Sequence, residues 1–245
     1  MIFSIWRSDF VSFKEGDFLK VEYSAWRSSD KSLVFTTSKK VAQEAKLYNE
    51  SDKYEPVLVI VGKNTIVSGV DKALATMNVD ESRKVEVGPE DGFGERNDDL
   101  VRVMQVSDFR KKDIEPRPGL QIDIDGALAV VKSVNSGRVV VDANHPLAGE
   151  RLTYEVTVVA KLDNDSEKVK ALALRSGIAV SSAKAEGASA EVSVGEGVEK
   201  NADYFINKTA FTNSVFRYMP GMQKVVVVEE YSRKEAEKQG RQAGQ

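Results

Sequence analysis

The side chains able to do covalent or acid–base chemistry are few. Across 245 residues there is no cysteine and a single histidine, His145. A thiol nucleophile, a disulfide framework, a thiolate metal site and a histidine-based triad therefore fall away together. Asp123 and Asp125 with Glu115 suggest a cation site, but Asp-x-Asp-Gly fits a hairpin turn and lacks the Glu that closes a calcium loop. What remains is a set of apolar and aromatic residues set among sharp loops. Gly88-Pro89-Glu90-Asp91-Gly92-Phe93-Gly94 bends tightly around one aromatic ring, and Ala143-Asn144-His145-Pro146-Leu147-Ala148-Gly149 is a second sharp loop. From pattern alone Tyr23, Val57, Ile66, Val70 and Tyr154 read as core, Phe93 as a loop plug and His145 as a residue that orients its loop.

The elements that must carry these residues follow from periodicity. Residues 18–27 alternate apolar and polar as a half-buried strand, with a hairpin partner over 33–35. The spacing predicts a helix over 39–49, a strand over 57–61, a strand-to-helix corner over 66–74 and a strand over 83–87. From about Asn97 the texture changes. Leu100 to Phe109 is apolar, Pro116 and Pro118 break it, and short strands with Asp125-Gly126 and Asn135-Ser136-Gly137 turns run to Asp142, the pattern of a small all-β unit. A clear strand covers 152–159 and a linker 161–166. Beyond it the order reads αβαβ: helix 167–175, strand 188–194, helix 202–218 and strand 224–229. Val215, Phe216, Tyr218 and Met219 read as core or as a self-association face. The tail from Ser232 reads as a frayed, solvated helix.

Composition bounds the function. With 35 basic and 38 acidic residues the formal charge is -3, which gives no field to draw nucleic acid or anionic lipid. Apolar runs such as 57–61 and 225–228 are far shorter than a membrane helix needs, no secretory leader is visible, and the lack of cysteine suits a reducing, cytoplasmic setting.

Taken in order, Gly62 with Ile66-Val67-Ser68-Gly69-Val70 and Ala73-Leu74, then the loop around Phe93, then Val141 to Gly149 and Leu152-Thr153-Tyr154-Glu155-Val156, resemble the FKBP-type prolyl isomerases. The likeness is to SlyD-like and archaeal long-type members, over about residues 13–162. It implies an α+β fold: an FKBP-like antiparallel sheet with a short helix in residues 1–96 and 143–162, an all-β insert-in-flap chaperone domain in 97–142, and a C-terminal α/β domain in 163–245.

The resemblance also implies a chemistry. Rotation about a prolyl amide must break C–N resonance against a barrier of about 18–20 kcal/mol, and needs no nucleophile. A catalyst must hold the twisted amide better than the planar one. Carried over by position, Tyr23, Phe35, Thr36, Val57, Ile66, Val67, Val70, Phe93, Leu147 and Tyr154 form the prolyl pocket, with the Val67 N–H anchoring a substrate carbonyl and Leu147 closing one side. Val70 stands where relatives have Trp or Leu, so the pocket is roomier. Thr36 replaces the usual Asp and Phe93 the usual Tyr. One lost donor costs about 0.5–1.5 kcal/mol, roughly up to tenfold in rate, which implies a weakened isomerase or, alternatively, a holdase that has lost most catalysis. The insert would bind unfolded, proline-containing clients through Val103, Met104, Phe109, Leu120 and Ile122, although each also suits the insert's own core. No cofactor, metal, nucleic acid or membrane is implied. A homodimer through the C-terminal domain is.

Overall fold

The computed structural model describes residues 12–124, 126–195 and 202–231. In chain order they form β1 (Phe18–Arg27), β2 (Leu33–Thr36), α1 (Lys39–Glu44), β3 (Val57–Ile60), α2 (Ser68–Leu74), β4 (Ser82–Val87), β5 (Val101–Gln105), α3 (Val106–Arg110), β6 (Gln121–Ile124), β7 (Ala127–Asn135), β8 (Arg138–Asp142), β9 (Leu152–Leu162), α4 (Asp165–Arg175), β10 (Val180–Glu186), β11 (Ser189–Val194), α5 (Tyr204–Tyr218) and β12 (Lys224–Val228). This is a mixed α+β chain of largely antiparallel sheets with few helices. It divides into two compact units, one holding Glu22–Pro56 and Asn64–Val158, the other Lys14–Val21, Val57–Lys63 and the chain from Val159 onward.

In the first unit β1 pairs antiparallel with β2, setting Ala25 opposite Phe35 and Ser24 opposite Thr36, and β4 pairs antiparallel with β9 from Ser82↔Thr157 to Val87↔Leu152. The strand order is β2-β1-β9-β4. Alternation along β9 buries Leu152, Tyr154, Val156 and Val158 on one face, as a period of two requires. Helix α2 buries Val70 and Leu74. It lies close to β4: a Cβ on Gly69 would stand 2.9 Å from both methyl carbons of Val87, so only glycine admits this approach.

The insert is a four-stranded antiparallel sheet in the order β5-β8-β7-β6. Its core is small. Phe109, Val131, Val139 and Val141 are buried, with Met104, Leu120, Ile122 and Ile124 packed against them at its edge.

In the second unit the first half of β1 pairs with β3, Phe18↔Ile60 to Val21↔Val57. There β10 pairs antiparallel with β11, while β11 and β12 run parallel, joined by a crossover that contains α5. The core brings Val169, Leu172, Val192, Phe211 and Val215 together with Phe18, Leu58 and Ile60. Glu229, after β12, accepts hydrogen bonds from Lys208 Nζ, Tyr204 OH and Tyr231 OH; the Lys208 bond leads in holding its carboxyl at about 2.

Several expectations are corrected. Helix α1 ends at Glu44 rather than Asn49, because Lys46 turns left-handed (φ 58°) with no glycine to signal it. The insert is not purely β: Val106–Arg110 is a helical turn. The anticipated linker at 161–166 does not exist, since β9 runs through Leu162 and Asn164 at once caps α4, its side chain accepting from the N–H groups of Ser166 and Glu167. The C-terminal order is αββαβ, with β10 missed: its sequence, Val-Ser-Ser-Ala-Lys-Ala-Glu, is poor in β-formers. Of the four residues left open in α5 and just beyond, Val215 and Met219 are buried, Tyr218 half-buried and Phe216 exposed. Asp125 and the tail from Ser232 lie outside the described residues.

Candidate functional site

Three neighbouring strands bring three rings together. Tyr23 of β1 and Phe35 of β2 meet edge to face at 5.6 Å between centroids, and Tyr154 of β9 lies 6.2 Å from Tyr23 and 5.9 Å from Phe35. Tyr23 and Phe35 are half-buried, whereas Tyr154 is fully buried. Burial pushes the Tyr23 phenol up, and burial followed by the nearby Tyr23 pushes Tyr154 up further. Both therefore stay neutral at physiological pH and act only as hydrogen-bonding groups. The Tyr154 hydroxyl finds no hydrogen-bond partner among the described residues.

The helix of the expected strand-to-helix corner forms, but no strand leads into it: β3 ends at Ile60, and residues 65–66 form a bend before α2 starts at Ser68. Ile66 and Val67 are half-buried, Val67 caps α2, and Val70 is fully buried in its first turn. The Val67 carbonyl accepts from the N–H groups of Val70 and Asp71; among the described residues no backbone carbonyl accepts from the Val67 N–H. Val57 belongs to the second compact unit, half-buried opposite Val21.

Thr36 does not stand in for a carboxylate. Its Oγ1 shares a 2.6 Å hydrogen bond with Ser24 Oγ and accepts from the Ser38 N–H at 3.0 Å, so it fastens the end of β2 to β1. Thr37 fixes the backbone beside Tyr23, accepting from the Tyr23 N–H at 2.9 Å and donating to its carbonyl at 3.2 Å. Sequence reasoning missed Ser24 and Thr37; hydroxyls in or beside a strand carry no signal until the register is known.

The two sharp loops meet. Phe93 and His145 stack at 4.5 Å with planes 5° apart, and the His145 Nδ1 accepts from the Leu147 N–H at 3.1 Å, which holds the buried Leu147 in its loop. Gly149 N–H donates to the Gly94 carbonyl at 2.8 Å; both glycines have φ near +80°, as these turns require. Asp91 ties the first loop to α2 by accepting from Ser68 Oγ and Lys72 Nζ.

Where the chain enters and leaves the insert lies a polar clamp. The buried Asp142 accepts from the Asn144 N–H and Nδ2 on one oxygen and from Arg96 at 2.7 Å on the other, with Lys132 at 3.7 Å. Asn144 also bridges both backbone groups of Asn97. Burial opposes the charge, but the Asn144 bonds and then Arg96 outweigh it and hold the carboxyl at about 2.

In the insert, Val103, Met104, Phe109 and Ile122 line one groove of about 340 Å³, together with Ile114 and Ile124, which were not anticipated. Arg102, Asp108, Lys112 and Asp123 give it a charged rim of mixed sign. Leu120 packs on the insert core and is not among the residues lining this groove. Phe109 is buried and forms its floor, while Val103 is 63% exposed.

Comparison with known proteins places these features. Residues 102–147 match the family model "FKBP26, IF domain". A short-type peptidyl-prolyl cis-trans isomerase of Methanocaldococcus jannaschii is 34% identical over 145 residues, 59% of this chain and 91% of the relative. The FKBP-type peptidyl-prolyl cis-trans isomerase SlyD of Haemophilus influenzae is 31% identical over 145 residues, 57% of this chain and 76% of its own; that of Escherichia coli K12 is 30% identical over 144 residues, 57% and 73%. With a ring-lined strand site, the α2 corner and an insert returning through Asp142 to Gly149, the chain belongs to the FKBP-type peptidyl-prolyl cis-trans isomerase family, in its SlyD-like, insert-in-flap form.

Proposed function

We propose that the chain isomerises prolyl peptide bonds in unfolded and partly folded polypeptides and holds those clients through its insert. The observation that carries this reading is the apolar cage of Tyr23, Phe35 and Tyr154; the Val67 N–H on the α2 corner joins it as donor by resemblance. A proline ring offers only apolar surface, so aromatic edges and aliphatic side chains bind it, and the one directional group required is a donor for a neighbouring carbonyl. Transfer from water into such a cage favours the twisted amide, whose charge separation is smaller than that of the planar form. In this reading Ile66 and Val70 shape the aliphatic wall, Phe93 and Leu147 the loop side, and Thr36 a structural end to β2. Val57 belongs to the reading by resemblance alone.

The insert supplies the second half of the activity. Its groove is apolar at the floor and charged at the rim, which suits an extended apolar segment of a client. Capture there raises the local concentration of prolyl bonds and offsets the polar groups that Thr36 and Phe93 do not provide. We assign residues 1–96 and 143–162 to the catalytic domain, 97–142 to the insert, and 163–245 to a C-terminal domain that pairs two copies through the exposed Phe205, Ile206 and Phe216 of α5. The absence of cysteine suits the cytoplasm as the working compartment. Exchange between the cis and trans forms of a prolyl tetrapeptide, followed by NMR, tests the reading: a substoichiometric amount of protein broadens the exchanging resonances, and unchanged linewidths would refute it. For the pairing, light scattering is expected to give twice the chain mass, and a monomer mass would overturn it.

A further inference from the structure

The Tyr154 phenol is a neutral, buried donor on the innermost ring of the cage, with the Tyr23 and Phe35 rings beside its own and no hydrogen-bond partner among the described residues. Buried polar groups are almost always paired, because an unmet donor costs more than a met one returns. A phenylalanine would fill the same space without that cost. An orphaned hydroxyl kept at such a place calls for an acceptor that arrives from outside the chain. The neighbouring Tyr23 phenol lies close enough to be felt by Tyr154 yet makes no hydrogen bond to it, and the Thr36 and Thr37 hydroxyls of the adjoining strand end are committed to Ser24, the Ser38 N–H and the backbone of Tyr23.

We propose that Tyr154 is a catalytic residue whose hydroxyl donates a hydrogen bond to the prolyl nitrogen as the amide twists. This rests on the prolyl isomerase reading and adds a named donor to it. In the planar amide the nitrogen lone pair is delocalised into the carbonyl and accepts poorly. Rotation localises that pair and makes the nitrogen an acceptor. A donor beneath the ring is then met in the transition state and unmet in both planar forms, which is the condition for lowering the barrier without tightening ground-state binding. No bond is made or broken and no proton changes owner. The hydroxyl is covered in the free chain, so the assignment requires the half-buried Tyr23 and Phe35 rings to part far enough, while still flanking the proline ring, for the amide to reach it.

Tyr154→Phe removes one oxygen and leaves the ring. The chain carrying it is expected to show kcat lowered about tenfold for a prolyl tetrapeptide in a protease-free assay, KM unchanged within about twofold, and a thermal midpoint equal to or above wild type. Equal kcat in an active wild type and in the variant would overturn the assignment alone. So would a fall in the thermal midpoint with activity lost in proportion, since that marks a structural hydroxyl. A wild-type chain with no acceleration would overturn the isomerase reading, and this assignment with it. Tyr154→Leu, which removes ring and hydroxyl together, should raise KM as well; a variant that raises only KM, as Leu or as Phe, would place the side chain in ground-state binding and refute the donor role.

Discussion

Replacing Asp142 with asparagine tests whether the clamp at the root of the insert holds the fold together. The carboxylate is 3% exposed and accepts four contacts: the Asn144 N–H at 3.0 Å, Asn144 Nδ2 at 2.8 Å, Arg96 at 2.7 Å and Lys132 at 3.7 Å. A carboxyl held at about 2 instead of 3.8 contributes on the order of 2 kcal/mol at neutral pH, and the half-exposed Arg96 lowers this to about 1–2 kcal/mol through solvent screening. In Asp142→Asn the amide oxygen can still serve Asn144, but the NH2 group then faces Arg96 and Lys132, donor against donor. That mismatch adds about 1 kcal/mol, for a loss of about 2–3 kcal/mol in all. At about 2–4 °C per kcal/mol for a chain of this size, the midpoint of thermal unfolding should drop by about 5–10 °C at pH 7. Because the folded-state value is depressed, the wild-type advantage is complete above pH 3.8 and disappears as pH falls through about 2. Scanning calorimetry of both chains from pH 7 to pH 2 reads this directly. A gap below about 0.5 kcal/mol at pH 7, or one that stays constant down to pH 2, would refute the reasoning.

Other substitutions separate the parts of the site. Phe93→Tyr restores a hydroxyl on the loop and should raise kcat/KM for a prolyl tetrapeptide by up to about tenfold; a decrease would show that the ring edge faces away from substrate. Val103→Glu places a charge on an exposed position of the insert groove, so suppression of client aggregation should fall while tetrapeptide isomerisation stays within about twofold. Gly69→Ala drives a methyl to 2.9 Å from Val87 and should cost about 1–3 kcal/mol of stability in a denaturant titration; no change would mean that β4 yields freely. His145→Asn keeps an acceptor for the Leu147 N–H but loses the stack on Phe93, so KM should rise with kcat little changed.

Much of the fold was legible because single elements write their own period. β1 alternates apolar and polar from Leu19 to Ala25 and β9 from Leu152 to Val158, and glycine and proline mark the turns that enclose Phe93 and His145. Where the sequence misled, tertiary context had overruled local signals. Lys46 adopts a left-handed conformation without glycine, β10 is a strand of small polar residues held by its pairing with β11, and Lys161-Leu162 extend a strand where charge suggested a linker. The ring cage could not be read from spacing, since Tyr23, Phe35 and Tyr154 meet only through strand order; resemblance alone put them together. The clamp escaped for the same reason, because Arg96 and Asp142 meet only when the insert returns. An unmet hydroxyl on Tyr154 is invisible in any sequence, being a statement about its neighbours.

The central claim is that one chain both turns prolyl bonds and holds the polypeptide that carries them. The direct measurement compares two substrates at the same substoichiometric concentration of the full chain: a prolyl tetrapeptide, and an unfolded protein whose refolding is limited by a prolyl bond. Catalysis with capture by the insert predicts acceleration of both, with a higher kcat/KM for the protein than for the peptide, and loss of that excess in Val103→Glu. Acceleration of neither substrate at micromolar concentrations, alongside intact suppression of client aggregation, would contradict the account.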